Sequence, residues 1–137
     1  MSGTLAFTPA SARAFVHLVN GLPDYSQMLV GFFNPDYPCQ NPSTQPAANT
    51  QVLVLQGQNT GGVAKGAFTP NFNLSGNSYA FLGYSSAMPD IMAGTFDFDW
   101  VGVDPVGGVN GRFNLASMDG GTANGSFSAQ YCGAYVF

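Results

Sequence analysis

The chain has 137 residues and a formal net charge of −4, built from three Lys/Arg and seven Asp/Glu, so that only 7% of it is charged. Ordinary soluble domains are about 25% charged. Three cations cannot form the patch that neutralises phosphates, which excludes nucleic acid as a partner, and a polybasic membrane contact is excluded on the same ground. The length suits one domain (1–137), and 45% hydrophobic with 14% aromatic residues supplies a core.

Period-two alternation broken by Gly, Pro and Asn runs through the chain, and helical spacing is absent. Strands are expected over 3–7, 12–20, 27–34, 51–57, 64–69, 78–84, 92–103, 109–117 and 122–136. About nine short strands in one domain predict an all-β fold, an antiparallel β-sandwich or closed β-barrel, with no helix beyond a turn. His17 lies in the apolar run Ala14-Phe15-Val16-His17-Leu18-Val19, and a structural role fits it better than catalysis, since no Ser-His-Asp spacing accompanies it. Between the third and fourth of these strands, Pro35, Pro38, Pro42 and Pro46 stiffen an irregular loop that carries Tyr37 and Cys39. The run Val52-Leu53-Val54-Leu55 is continuously apolar, which predicts a central strand covered on both faces. No apolar stretch approaches the roughly 18 residues needed to span a bilayer as a helix.

Five Gly-x-Phe units recur: Gly31-Phe32-Phe33, Gly66-Ala67-Phe68, Gly94-Thr95-Phe96, Gly111-Arg112-Phe113 and Gly125-Ser126-Phe127. Residues i and i+2 of a strand share a face, so each Phe stands beside a bare Gly, and a neighbouring aromatic can lie across it. Phe68, Phe96, Phe113 and Phe127 are therefore expected in the core with residues 52–55. Met118-Asp119-Gly120-Gly121 makes a hairpin turn between the last two units. A faint duplication repeats Phe7-Thr8-Pro9 as Phe68-Thr69-Pro70, Pro23-Asp24 as Pro89-Asp90, and Gly31-Phe32-Phe33 as Gly94-Thr95-Phe96.

Cys39 and Cys132 are the only cysteines. With one His they fall short of a structural zinc site, and a disulfide is the simpler reading; two buried free thiols would instead fit a cytoplasmic or virion protein. A bridge would hold the Pro-rich loop against the C-terminal strand and blunt an exposed sheet edge, if that strand lies beside the one entering the loop. Phe-Thr-Pro before an alternating strand, a Cys after a Pro/Asp-Tyr loop, and Gly-x-Phe strands ending in Gly125-Ser126-Phe127-Ser128-Ala129-Gln130-Tyr131-Cys132 together resemble uncharacterised bacterial secreted or lipoprotein β-domains. The resemblance implies a disulfide-closed β-domain and brings no catalytic residues with it. The leader and lipid-attachment Cys of that pattern have no counterpart here, because Met1-Ser2-Gly3-Thr4 runs straight into a strand-like pattern.

Asp97 and Asp99 share one face of Phe96-Asp97-Phe98-Asp99-Trp100. Two carboxylates so spaced can serve glycoside hydrolysis, or begin a Ca²⁺ site with Asp104 or Asp119. A half-buried strand with a wet outer face gives the same pattern, so neither a metal nor a cofactor is expected. The expectation is a non-enzymatic extracellular or surface module that binds a protein subunit, a second copy included, or a glycan, through Tyr37, Asp97, Asp99 and Trp100. The alternatives are a virion decoration or fibre subunit, and a glycan-acting or Ca²⁺-dependent enzyme using Asp97 and Asp99.

Overall fold

The computed structural model describes residues 11–34, 38–39, 50–59, 61–84, 90–100 and 105–135. They form β1 (Ser11–Val19), β2 (Leu22–Asn34), β3 (Gln51–Gln58), β4 (Gly66–Phe68), β5 (Ser78–Tyr84), β6 (Asp90–Trp100), β7 (Val109–Ser117) and β8 (Thr122–Tyr135), with one 3-10 turn at Pro105–Gly107. The strands pair in the order β6-β5-β3-β2-β1-β8-β7, and β7 returns to β6. The sheet thus closes into a seven-stranded barrel, with β4 added on β6. Of the two architectures expected, the barrel is the one found. The strand expected over 3–7 lies outside the described residues.

Every pairing is antiparallel except β1 with β8, which run parallel as first and last members of the ring. This is the seam of the barrel, and Arg13 Nη1 donates across it to Gln130 Oε1 at 2.6 Å. Inside, alternate residues meet: Met28, Val30 and Phe32 of β2, Leu53 and Leu55 of β3, Phe96, Phe98 and Trp100 of β6. Val52 and Val54 point the other way and are half-buried on the outer wall, which corrects the expectation that β3 is covered on both faces. A closed ring has one dry side, so a continuous apolar run supplies that side with every second residue only.

Two of the five Gly-x-Phe units, those of Gly111 and Gly125, do what their spacing predicts; a Cβ at Gly66 would meet nothing and one at Gly94 would meet backbone, not a ring. Gly111 pairs with Phe127 and Phe113 with Gly125, a reciprocal arrangement in which each ring lies over the glycine opposite. Phe113 and Phe127 are partly buried and pack on the core, where both meet Phe32 at 5.5 and 5.1 Å between ring centroids. Phe68 stacks on Phe96 at 5.3 Å and covers Gly57 of β3. Gly31-Phe32-Phe33 is arranged differently again: the ring of its own Phe33 folds over Gly31 on the outer side and Phe32 takes the core position. The duplication that aligns this unit with Gly94-Thr95-Phe96 therefore fails to keep the facing of its Phe.

β1 and β2 join through Asn20-Gly21, both at positive φ (51° and 77°), the two-residue turn that matches strand twist. The strand after it begins at Leu22, five residues earlier than the alternation indicated, because a bulge hides it: Val16 pairs with Met28 but His17 with Asp24. Asp24 organises the extra residues, its Oδ1 accepting from the Ser26 hydroxyl (2.6 Å) and the Ser26 amide (3.0 Å). Those bonds, with the charge of His17 across the pair, hold its carboxyl below the usual carboxylate value. A depressed folded pKa means stability that is complete above the unfolded pKa of about 3.9 and lost as pH falls through the lower folded value. The melting temperature of wild type should accordingly exceed that of Asp24→Asn at pH 6, and the gap should shrink steadily below about pH 4. A gap independent of pH would assign the effect to packing.

Cys39 and Cys132 are bonded, with Cα atoms 5.3 Å apart. β8 lies beside β1, not beside β2 from which the loop departs, and both edges of β8 are paired. The bridge therefore blunts no edge; it ties Cys39 to β8 at the seam. Cys132 sits in the irregularity of that seam, between the pairs Ala14–Tyr131 and Val16–Ala134.

Candidate functional site: a split in the barrel wall

β6 carries the carboxylates singled out in the sequence, and its alternation places them outward while Phe96, Phe98 and Trp100 face in. Asp97 is half-buried and its Oδ1 accepts the backbone N–H of Arg112 at 3.0 Å. That bond falls where the β6–β7 ladder skips from Phe96–Phe113 to Asp99–Asn110, so the side chain satisfies an amide the ladder leaves free. Asp99 is 74% exposed and lies 4.0 Å from Lys65 Nζ, a surface ion pair worth little in water.

Trp100 does not share the face of these carboxylates. It is 4% exposed, inside the barrel, edge-on to Tyr25 at 6.0 Å, and its Nε1 has no hydrogen-bond partner. Tyr37 and Asp104 lie outside the described residues. Asp119 belongs to the β7–β8 turn, accepting from Ser117 Oγ at 2.5 Å. Ser117 and the Asn110 that pairs with Asp99 stand near opposite ends of β7, about 23 Å apart at about 3.3 Å per residue. Asp99 and Asp119 therefore share no cation, and no group of three metal-ligating side chains occurs among the described residues.

What adjoins Asp97 and Asp99 instead is a cleft. β5 pairs with β6 only over Ala80–Met92, Phe81–Ile91 and Leu82–Asp90; beyond Gly94 (φ 137°) β6 takes β4 as its partner. The Gly94 amide donates to Pro70 O at 3.2 Å, continuing that exchange. Between the start of β5 and β4 the wall divides, leaving a cleft of about 300 Å³ lined by Gln58, Asn59, Lys65, Ala67, Asn77 and Ser78 among others. The Phe68 ring itself turns inward, stacked on Phe96 and lying over Gly57, so the described lining of the cleft is mainly polar. Ala67 pairs with Asp97, so the cleft and the carboxylate face are contiguous.

No protein-family model, curated protein or solved structure matches the chain. The site rests on its own geometry.

Gln58, Asn59 and Asn77 escaped the sequence reading because amides at strand ends look like any turn. Their signal lay in spacing: both flanks of the β3-to-β5 connection end in Gln or Asn. The ladder-patching role of Asp97 gives a further test. Asp97→Ala should lower stability by about 1 kcal/mol, the net worth of the one hydrogen bond it makes to the Arg112 amide, whereas Asp99→Ala should change it by less than about 0.5 kcal/mol. Millimolar Ca²⁺ should leave the melting temperature of wild type unchanged. Equal effects of the two substitutions, or a Ca²⁺-dependent rise, would restore the carboxylate pair as a site.

Proposed function

We propose that the chain is a non-enzymatic barrel module of an extracellular or surface setting, which holds a glycan or a protein subunit on its outer wall. The observation that carries this reading is the cleft between β4 and β5, whose described polar lining is amides, hydroxyls and one ammonium, beside carboxylates already engaged with the backbone or with Lys65. Such groups bind by hydrogen bonds and lack an arrangement for bond cleavage. The Cys39–Cys132 bridge supports an oxidising compartment. No described helix is long and apolar enough to cross a membrane.

Assembly has its own support. Residues 27–34 of β2, all of β3 and all of β5 carry no charged side chain. Copies of a chain with net charge −4 can approach through that wall without like-charge repulsion, which also suits a virion decoration or fibre subunit. Two measurements test the reading together: a glycan array with and without chelator, and light scattering coupled to size exclusion. Binding to either kind of partner supports it, whereas a monomer silent on the array would remove its basis. Glycan hydrolysis abolished by Asp97→Asn would replace it with the enzymatic alternative.

A further inference from the structure

We infer that the split between β4 and β5 is a subsite for a single neutral sugar unit, held by the Gln58 and Asn77 amides with the hydroxyls of Thr69 and Ser78. This rests on the reading of the chain as a binding module and names the ligand chemistry of its cleft.

The argument begins with size. A cleft of about 300 Å³ lies at the lower end of small-ligand sites, which run from about 300 to 1,000 Å³. A sugar ring fits there; a peptide strand or helix does not. Charge comes next. Lys65 is the only charged side chain among the cleft's lining, with Asp99 4.0 Å from its ammonium, so a single exposed cation is all the site offers a phosphate or carboxylate, far short of an anion-binding cluster.

Donor and acceptor balance completes the case. A side-chain amide presents an oxygen acceptor and two N–H donors in one plane, and sugar hydroxyls both donate and accept. Gln58 closes β3 and Asn77 immediately precedes β5, and the backbone bond from Gln58 N–H to Asn77 O (2.8 Å) ties the two residues side by side. Asn59 is committed differently: its Nδ2 donates to Val63 O at 3.0 Å, shaping the loop at the rim. Thr69 and Ser78 add hydroxyls. Ala67, exposed on β4, leaves the entrance open.

The test is a titration of isotopically labelled protein with neutral hexoses and N-acetylhexosamines at millimolar concentration, followed by amide chemical shifts, side-chain NH₂ signals included. Shifts should cluster on residues 57–59, 65–69 and 76–78 and saturate for at least one sugar. Gln58→Ala and Asn77→Ala should each weaken that binding about tenfold, the loss expected for one hydrogen-bonding partner. Ala67→Trp, which fills the entrance without touching the amides, should abolish it while leaving the melting temperature near that of wild type. Absence of saturable shifts for every sugar, or shifts that survive Ala67→Trp, would overturn the assignment. Sugar binding that maps to another face would overturn this subsite while sparing the binding-module reading; a silent array and a monomer would remove both.

Discussion

Reduction of the Cys39–Cys132 bridge is expected to cost this barrel about 4–5 kcal/mol, the largest single loss any one covalent change should produce. The bridged residues are 93 positions apart, and closing a loop of that length removes about this much chain entropy from the unfolded state. Against a typical total of about 5–15 kcal/mol, that is a large fraction for a domain with so few ion pairs. The melting temperature should fall on the order of 10–20 °C on reduction, read by calorimetry with and without reductant. The intact mass should rise by about 2 Da as two thiols form. The double variant Cys39→Ser, Cys132→Ser should melt with the reduced wild type. Two titratable thiols in native, unreduced protein would defeat the bond.

The second large effect belongs to a glycine. A Cβ at Gly111 would fall on the carbonyl oxygen of Asp97, where β6 and β7 come together, and would also meet the Phe127 ring at 2.6 Å. A backbone oxygen held by a closed ring cannot step aside. Gly111→Ala should therefore cost about 3 kcal/mol or more, or prevent folding. Gly125, its counterpart in the reciprocal pair, meets only the Phe113 ring at 3.4 Å, and Gly125→Ala should cost less than about 1 kcal/mol. Gly31→Ala belongs between them, because its obstruction at 2.7 Å is the far end of the Phe33 side chain. Denaturant unfolding of the three variants checks the order; equal costs would show that the contacts with Phe rings, not the Asp97 backbone, set the requirement for glycine.

These residues also mark how far the sequence could be read. Period two located the strands, since burial on one side of a barrel imposes it directly, and the Gly-x-Phe units of β7 and β8 foretold ring-over-glycine packing because a hairpin sets each Phe opposite the other unit's Gly. Bulges were less legible. At β2 three additional residues interrupt the ladder opposite His17, so the periodicity is lost just where Asn20-Gly21 signals a hairpin. The cleft was hidden for another reason. It exists because β6 exchanges β5 for β4 while the β3–β5 ladder brings Gln58 and Asn77 together across an 18-residue connection (59–76), both choices of partner made in three dimensions. Likewise the outward carboxylates of β6 were visible as an alternation, but the amide of Arg112 that Asp97 accepts could be known only from the ladder.

The parallel seam has a consequence for how the molecule is made. Arg13 and Gln130, which meet across it, are 117 positions apart, whereas β1–β2, β5–β6 and β7–β8 join near neighbours in the chain. Hairpins can therefore form early, and ring closure must wait for the most distant pair. During synthesis at about 5–20 residues per second, β1 emerges on the order of 5–20 s before β8, and one edge of β1 has no strand to pair with in that time. An open edge is a template for any other chain nearby, so the nascent protein is most exposed to intermolecular pairing before its last strand appears.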